Sequence, residues 1–167
     1  MIQARWNPAP ATCLPAPLKA WLRHRGSLSL RLRALGGEFG VRVVFEGGAP
    51  LRRDEAALLR LLPGRKVRVR EVELSLDGEV LVAARTFWAQ PSLPAPWRQL
   101  ARLGNRPLGE ALFTDPTVHR LALQFRRENT SWGPGLARRS PFVRHGAILV
   151  VSETFLPALQ QRLCRTA

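Results

Sequence analysis

A chain of 167 residues, 46% of them hydrophobic, carries enough apolar side chain for one domain with a real core, and two would be cramped. Its longest aliphatic run, Ala147-Ile148-Leu149-Val150-Val151, is far shorter than the roughly 20 apolar residues a membrane-spanning helix needs. The net charge of +14 rests almost wholly on arginine, Lys19 and Lys66 being the only lysines, and its spread over the whole chain argues against a dedicated nucleic-acid footprint.

Pro8, Pro10, Pro15 and Pro17 break the opening segment into short pieces, so it holds no signal-peptide hydrophobic region and a cytoplasmic protein is expected. Residues 1–14 are expected to be irregular. Leu18, Trp21 and Leu22 have helical spacing, Arg25-Gly26-Ser27 resets the chain, and a second helix follows from Leu28 to Gly36-Gly37. Val41, Val43 and Phe45 predict a strand closed by Gly47-Gly48, and Arg53–Leu62 a short helix with Asp54 and Glu55 in its first turn. Lys66–Leu76 and Glu79–Ala89 predict two strands joined at Asp77-Gly78, a dipeptide suited to a two-residue hairpin turn.

After Pro94 and Pro96, Trp97–Leu103 and Leu108–Phe113 read as helical pieces separated by Gly104-Asn105-Arg106-Pro107. Thr117–Arg127 and Phe142–Arg144 read as weaker strands on either side of a Gly-rich loop at Gly133-Pro134-Gly135. Ala147–Phe155 is a strong strand and Ala158–Cys164 a closing helix. Hairpin-linked strands with grouped helices and no βαβ alternation predict an α+β domain on a single antiparallel sheet. Cys13 and Cys164 stand alone near the two ends and read as reduced thiols.

Side chains alternate between the faces of a strand, so parity shows which charges share a face with core residues. Arg70 has the parity of Val72, Leu74 and Leu76; Arg85 that of Leu81, Ala83 and Phe87; Glu153 that of Leu149, Val151 and Phe155. A charge on a buried face costs several kcal/mol unless something satisfies it. Glu153 therefore either forms a core ion pair with Arg70 or Arg85, or these side chains await a ligand. An inward arginine suits a carboxylate, which its planar fork grips with two parallel hydrogen bonds, and an inward glutamate suits a hydroxyl.

Other chemistries find little support. There is no phosphate-binding Gly-Lys-Ser/Thr loop, and Trp132-Gly133-Pro134-Gly135 lacks the strand-to-helix setting of a dinucleotide site. His24, His119 and His145 lack paired metal-ligand spacing, and Ser27, Ser140 and Ser152 lack a nucleophile-elbow context. An enzyme here is expected to work without metal, cofactor or covalent intermediate.

Val67–Leu74 followed by Asp77-Gly78-Glu79 and Ala84-Arg85-Thr86 resembles the central hairpin of the chorismate pyruvate-lyase (chorismate lyase) family. Gly104–Phe113 resembles its Gly-x-x-Pro-Leu-Gly-x-x-Leu-Phe helix, and Arg138-Arg139-Ser140 with Leu149–Pro157 resembles its closing motif. The ordered matches run from about Trp21 to Pro157; the chain departs from the family at residues 129–137, where Trp132 comes early and Leu136-Ala137 directly precedes the arginines.

The resemblance implies one chorismate lyase-like domain over residues 1–167 that turns chorismate into 4-hydroxybenzoate and pyruvate, supplying a ring precursor for ubiquinone. It implies a small-molecule substrate and product, no cofactor, no nucleic-acid partner, no membrane span and a monomer. Arg70 would hold the ring carboxylate with the backbone amide of Leu108, and Glu153 would meet the hydroxyl at the opposite end of the ring as acceptor or general base. Leu28 would add a backbone contact from the first of two helix-turn-helix flaps, and Arg85 would add to the cationic pocket. The alternatives from other classes are a ligand-sensing domain of the same fold, which would need a DNA-binding unit the Pro-rich opening segment does not supply, and a basic nucleic-acid binder.

Overall fold

The computed structural model describes residues 5–89 and 96–165. Two short helices, α1 (Ala16–Arg23) and α2 (Leu28–Arg33), come first, and then strand β1 (Phe39–Pro50) and helix α3 (Arg53–Leu59). The hairpin β2 (Lys66–Leu76) and β3 (Glu79–Trp88) follows. A 3-10 turn at Arg98–Arg102 leads to α4 (Leu108–Thr114), β4 (His119–Arg120), β5 (Gln124–Thr130), β6 (Gly133–Arg144), β7 (Ala147–Phe155) and α5 (Pro157–Arg165). The seven strands form one antiparallel sheet in the order β1-β2-β3-β7-β6-β4, with β5 also paired to β6. The expected α+β class on a single antiparallel sheet is what the chain adopts.

Asp77 and Gly78 turn the central hairpin with φ of 53° and 78°, the left-handed pair that matches the twist of the strands they join. Other boundaries differ from expectation, among them the second helix, which ends at Arg33 and not at Gly36-Gly37. The first strand runs through Gly47-Gly48 to Pro50 because β2 pairs with it along its whole length. Helix α3 stops at Leu59, where Arg60 turns left-handed (φ 56°). Thr117–Arg127 is divided between β4 and β5. The Gly133-Pro134-Gly135 stretch is the start of β6, held on one side by β5 and continuing into the ladder with β7. Pro94, one of the two prolines expected to precede the Trp97–Leu103 piece, lies outside the described residues.

Both faces of the sheet are covered. On one, α1, α2 and α5 bury Leu18, Trp21, Leu22, Leu32 and Leu159 against Leu76, Val82 and Phe155, while the 3-10 turn and α4 bury Leu100 and Leu112 against Trp88, Phe142 and Leu149. On the other, α3 packs Ala56 and Leu59 on Val69, Phe87 and Val150. The first face is apolar at both ends and polar in the middle. Along β3 its residues are Trp88, Thr86, Ala84 and Val82, and along β7 they are Leu149, Val151, Glu153 and Phe155. The gap between the two apolar clusters positions the site.

Candidate active site

The gap is a narrow cavity floored by Arg70, Val72, Ala84, Thr86, Val151 and Glu153. Two turns roof it. Gly26, Leu28 and Ser29 come from the α1–α2 turn, and Arg106, Pro107, Leu108 and Gly109 lead into α4. Leu28 and Leu108 are each the first residue of a helix, so neither backbone N–H has an acceptor within its helix. The turns touch: a Cβ on Gly109 would lie 2.6 Å from Ser27 Oγ, and Arg33 of α2 pairs with Glu110 of α4 at 3.0 Å. Ser27 shapes its own turn, its hydroxyl accepting from Leu30 N–H as an N-cap.

Arg70 is 2% exposed and points into this face as parity predicts. Nη1 donates to Glu46 Oε2 at 2.7 Å, and Nη2 donates to the Gly104 carbonyl at 2.6 Å. The guanidinium therefore ties β1, β2 and the second roofing turn together. Glu153 lines the same cavity from β7. Its expected ion-pair partners, Arg70 and Arg85, are replaced by Arg138, whose Nε donates to Glu153 Oε2 at 2.7 Å, and by Arg120 at 3.9 Å. Ladder pairing sets Arg70 beside Thr86 and Val151, and Glu153 beside Ala84 and Val72. The two charges thus stand two strands and one row apart, about 12 Å between backbones at ordinary strand spacing and rise. That span suits one aromatic ring with a polar group at each end.

Arg85 does not belong to this cavity, which corrects the parity reading. A bulge in β3 leaves Leu81 as the extra residue between Leu74↔Val82 and Ser75↔Val80, so parity counted from Leu81 comes out on the wrong face. The α3 face is also buried, and Phe87, which shares Arg85's face, belongs to that second core. Arg85 donates there to Glu55 Oε1 at 2.7 Å and to Glu71 Oε1 at 2.7 Å. Burial opposes its charge, but the bonds to Glu55 and Glu71 prevail and raise its pKa. A second cavity of about 230 Å³ opens on that face, bounded by Asp54, Glu71, Arg85, Arg126, Glu128 and Arg139 among others.

Sequence reasoning missed Glu46, Arg120 and Arg138. Arg138 is fully buried; besides Glu153, its Nη1 donates to the carbonyls of Trp21, Leu22 and His24 at 3.1, 3.2 and 2.6 Å, closing the C-terminal end of α1. Parity would have found it had β6 been read from Gly133, since Arg138 alternates with Leu136, Ser140 and Phe142. Glu46 lies past the bulge between Val43 and Phe45, which hides its face. Among the described residues no group of three or more His, Cys, Asp or Glu could hold a metal ion, and no helix is long and apolar enough to cross a membrane.

The family model described as "Chorismate lyase" matches residues 1–164. A protein of Thiobacillus denitrificans named "Probable chorismate pyruvate-lyase" is 40% identical, the match covering 95% of this chain and 91% of the relative. One of the same name from Methylococcus capsulatus is 41% identical over 85% and 96% of the two chains. Among solved structures, the effector domain of PhnF from Mycobacterium smegmatis superposes with a TM-score of 0.53 at 14% identity, covering 80% of this chain and 90% of that one. A GntR-family transcriptional regulator from Bacillus cereus does so with a TM-score of 0.52 at 9% identity, covering 73% and 94%. These two show a shared fold, whereas the family match spans nearly the whole sequence: the chain belongs to the chorismate lyase family.

Proposed function

We propose that this protein converts chorismate into 4-hydroxybenzoate and pyruvate. One observation carries the reading: Arg70 and Glu153, opposite in charge, face one roofed cavity across three strands with apolar side chains between them. Arg70 takes the ring carboxylate, joined by the amide of Leu108, which has no acceptor within its own helix. Glu153 accepts from the hydroxyl at the far end, and Leu28 adds its own first-turn amide from the opposite roof.

In the reaction the bond between ring C3 and the ether oxygen breaks, its electron pair going to oxygen. The proton on C4 leaves, the C4–H pair becomes the new ring π bond, and the released enolpyruvate takes up a proton at its methylene carbon to become pyruvate. Aromatisation supplies driving force, so the protein need only orient the substrate and stabilise the charge that moves to the leaving oxygen. Glu153 is the acceptor placed nearest the C4 end. The reading includes a cytoplasmic, monomeric enzyme that uses no cofactor and supplies a ring precursor for ubiquinone.

The fold shared with effector domains supports a second reading, a domain that binds a ring carboxylate without turning it over. Pyruvate release from chorismate separates the two. Wild-type protein should release pyruvate, and Arg70→Ala and Glu153→Ala should each lose at least about 100-fold in kcat/KM, as expected when one partner of a buried charged contact is removed. Binding of 4-hydroxybenzoate with no pyruvate formed selects the sensor, and wild-type rates in both variants end the assignment of these residues.

A further inference from the structure

Arg120 has no role in the reaction as described, yet it lines the same cavity beside Glu153. Its side chain is only 8% exposed. Nε donates to Ser140 Oγ at 2.8 Å and Nη1 donates to the Arg25 carbonyl at 2.8 Å. Among the described residues Nη2 has only the 3.9 Å contact with Glu153 Oε2, an oxygen that already accepts from Arg138. Phe113 and Phe142 flank the guanidinium at 5.8 and 5.2 Å.

Two buried guanidinium groups thus share one carboxylate, leaving one positive charge unmatched at this end of the cavity. Burial pulls the Arg120 pKa down to about 10; Glu153 opposes the shift, and Arg138 and Arg25 add to it. The opposite end differs, because Arg70 has Glu46 at 2.7 Å. Arg106, the remaining cation on the lining, is exposed, so water solvates its charge. A buried cation short of a counter-charge and open to a cavity calls for an anion.

The substrate of the proposed reaction is a dianion. Its second carboxylate sits on the enolpyruvyl group, carried by the ring carbon next to the one bearing the hydroxyl. With the ring carboxylate on Arg70 and the hydroxyl on Glu153, that second carboxylate falls at the Glu153 end. We propose that Arg120 binds the enolpyruvyl carboxylate. This inference rests on the lyase reading. It makes Arg120 a residue that recognises substrate but not ring product, since 4-hydroxybenzoate has no group to offer it. As the C3–O bond breaks, negative charge grows on the oxygen next to the carboxylate Arg120 holds, so the same contact favours departure of the leaving group.

The test is Arg120→Gln, with Arg120→Lys as the conservative variant, measured for 4-hydroxybenzoate affinity by calorimetry and for chorismate turnover. Affinity for 4-hydroxybenzoate should stay within about 3-fold of wild type, which also shows that the variant is folded, while kcat/KM for chorismate falls at least about 100-fold and lysine restores part of it. A second measurement needs only the wild type and one folded variant. A 4-hydroxybenzoate bearing a carboxymethoxy group at position 3 should bind wild type at least about 10-fold more tightly than its 3-ethoxy counterpart, and the preference should vanish without the arginine. Equal affinity of wild type for the two compounds overturns the proposal, as does equal weakening of 4-hydroxybenzoate and chorismate in Arg120→Gln. A wild-type protein that neither cleaves chorismate nor binds 4-hydroxybenzoate overturns the lyase reading and this inference with it.

Discussion

Arg138 holds Glu153 from behind: its Nε donates to Glu153 Oε2 at 2.7 Å while its Nη1 reaches the last carbonyls of α1. Glu153 Oε1 accepts no hydrogen bond from the described residues. One fully buried side chain thereby fixes the carboxylate of the site and the helix that enters the first roofing turn. Arg138→Met removes the 2.7 Å donor of that carboxylate and the side-chain donor of those carbonyls, of which Trp21 keeps the His24 N–H, and should cost about 3–5 kcal/mol, as breaking a buried charged pair does. Urea unfolding without ligand measures it. Binding should show a second effect, with 4-hydroxybenzoate losing its advantage over benzoate because only the former depends on an oriented Glu153.

Gly109 and Ser27 are where the two roofing turns meet. A methyl at residue 109 would stand 2.6 Å from Ser27 Oγ, and that hydroxyl is buried and engaged with Leu30 N–H, so one turn must back away. Gly109→Ala should destabilise by about 1–3 kcal/mol, as overpacking does, and stopped-flow should show 4-hydroxybenzoate leaving faster. An unchanged dissociation rate would mean the roof does not gate the cavity.

Arg85 and Glu55 form a pair on the α3 face, Nε to Oε1 at 2.7 Å, with Glu55 only 4% exposed. A double-mutant cycle with Arg85→Met and Glu55→Met should give a coupling energy of about 1–3 kcal/mol. Its cost falls on stability; 4-hydroxybenzoate affinity should drop far less in Arg85→Met than in Arg70→Met.

Asp54 accepts from Trp6 Nε1 at 2.8 Å, Arg139 Nη1 at 3.0 Å and Arg126 Nη1 at 3.2 Å. Burial raises its pKa, but the Trp6 bond and the two guanidinium charges outweigh this, so it ends below the ordinary 3.8. A carboxylate with a lowered native pKa contributes stability that is present above its unfolded value and is lost as pH falls through the native one. Asp54→Asn should therefore be less stable than wild type at neutral pH, with the gap closing below the unfolded value of 3.8. Urea midpoints of both proteins across that range check the sign.

Much of this architecture was readable in advance because it depends on neighbours in sequence. Asp77-Gly78 specifies its own turn, and the alternation of β2 and β7 places Arg70 and Glu153 among core residues by local geometry. The strand β6 was hidden for the converse reason. Gly133, Pro134 and Gly135 have no strand preference of their own, and pairing with β5, with β7 taking up the ladder from Leu136, makes the segment a strand. That concealment hid Arg138 and, with it, the actual partner of Glu153.

The sequence by itself determined the α+β class, the central hairpin, and that Arg70, Arg85 and Glu153 lie on covered strand faces, since alternation and turn chemistry act within a few residues. Only the tertiary structure decided which face each charge occupies and what it meets. Parity is relative: one bulge at Leu81 reverses it, and it cannot say whether a face is covered by α3 or by the roofing turns. That is why Arg85 left the site and why Arg138, on the neighbouring strand β6, and Arg120, on β4 beyond it, took their places beside Glu153.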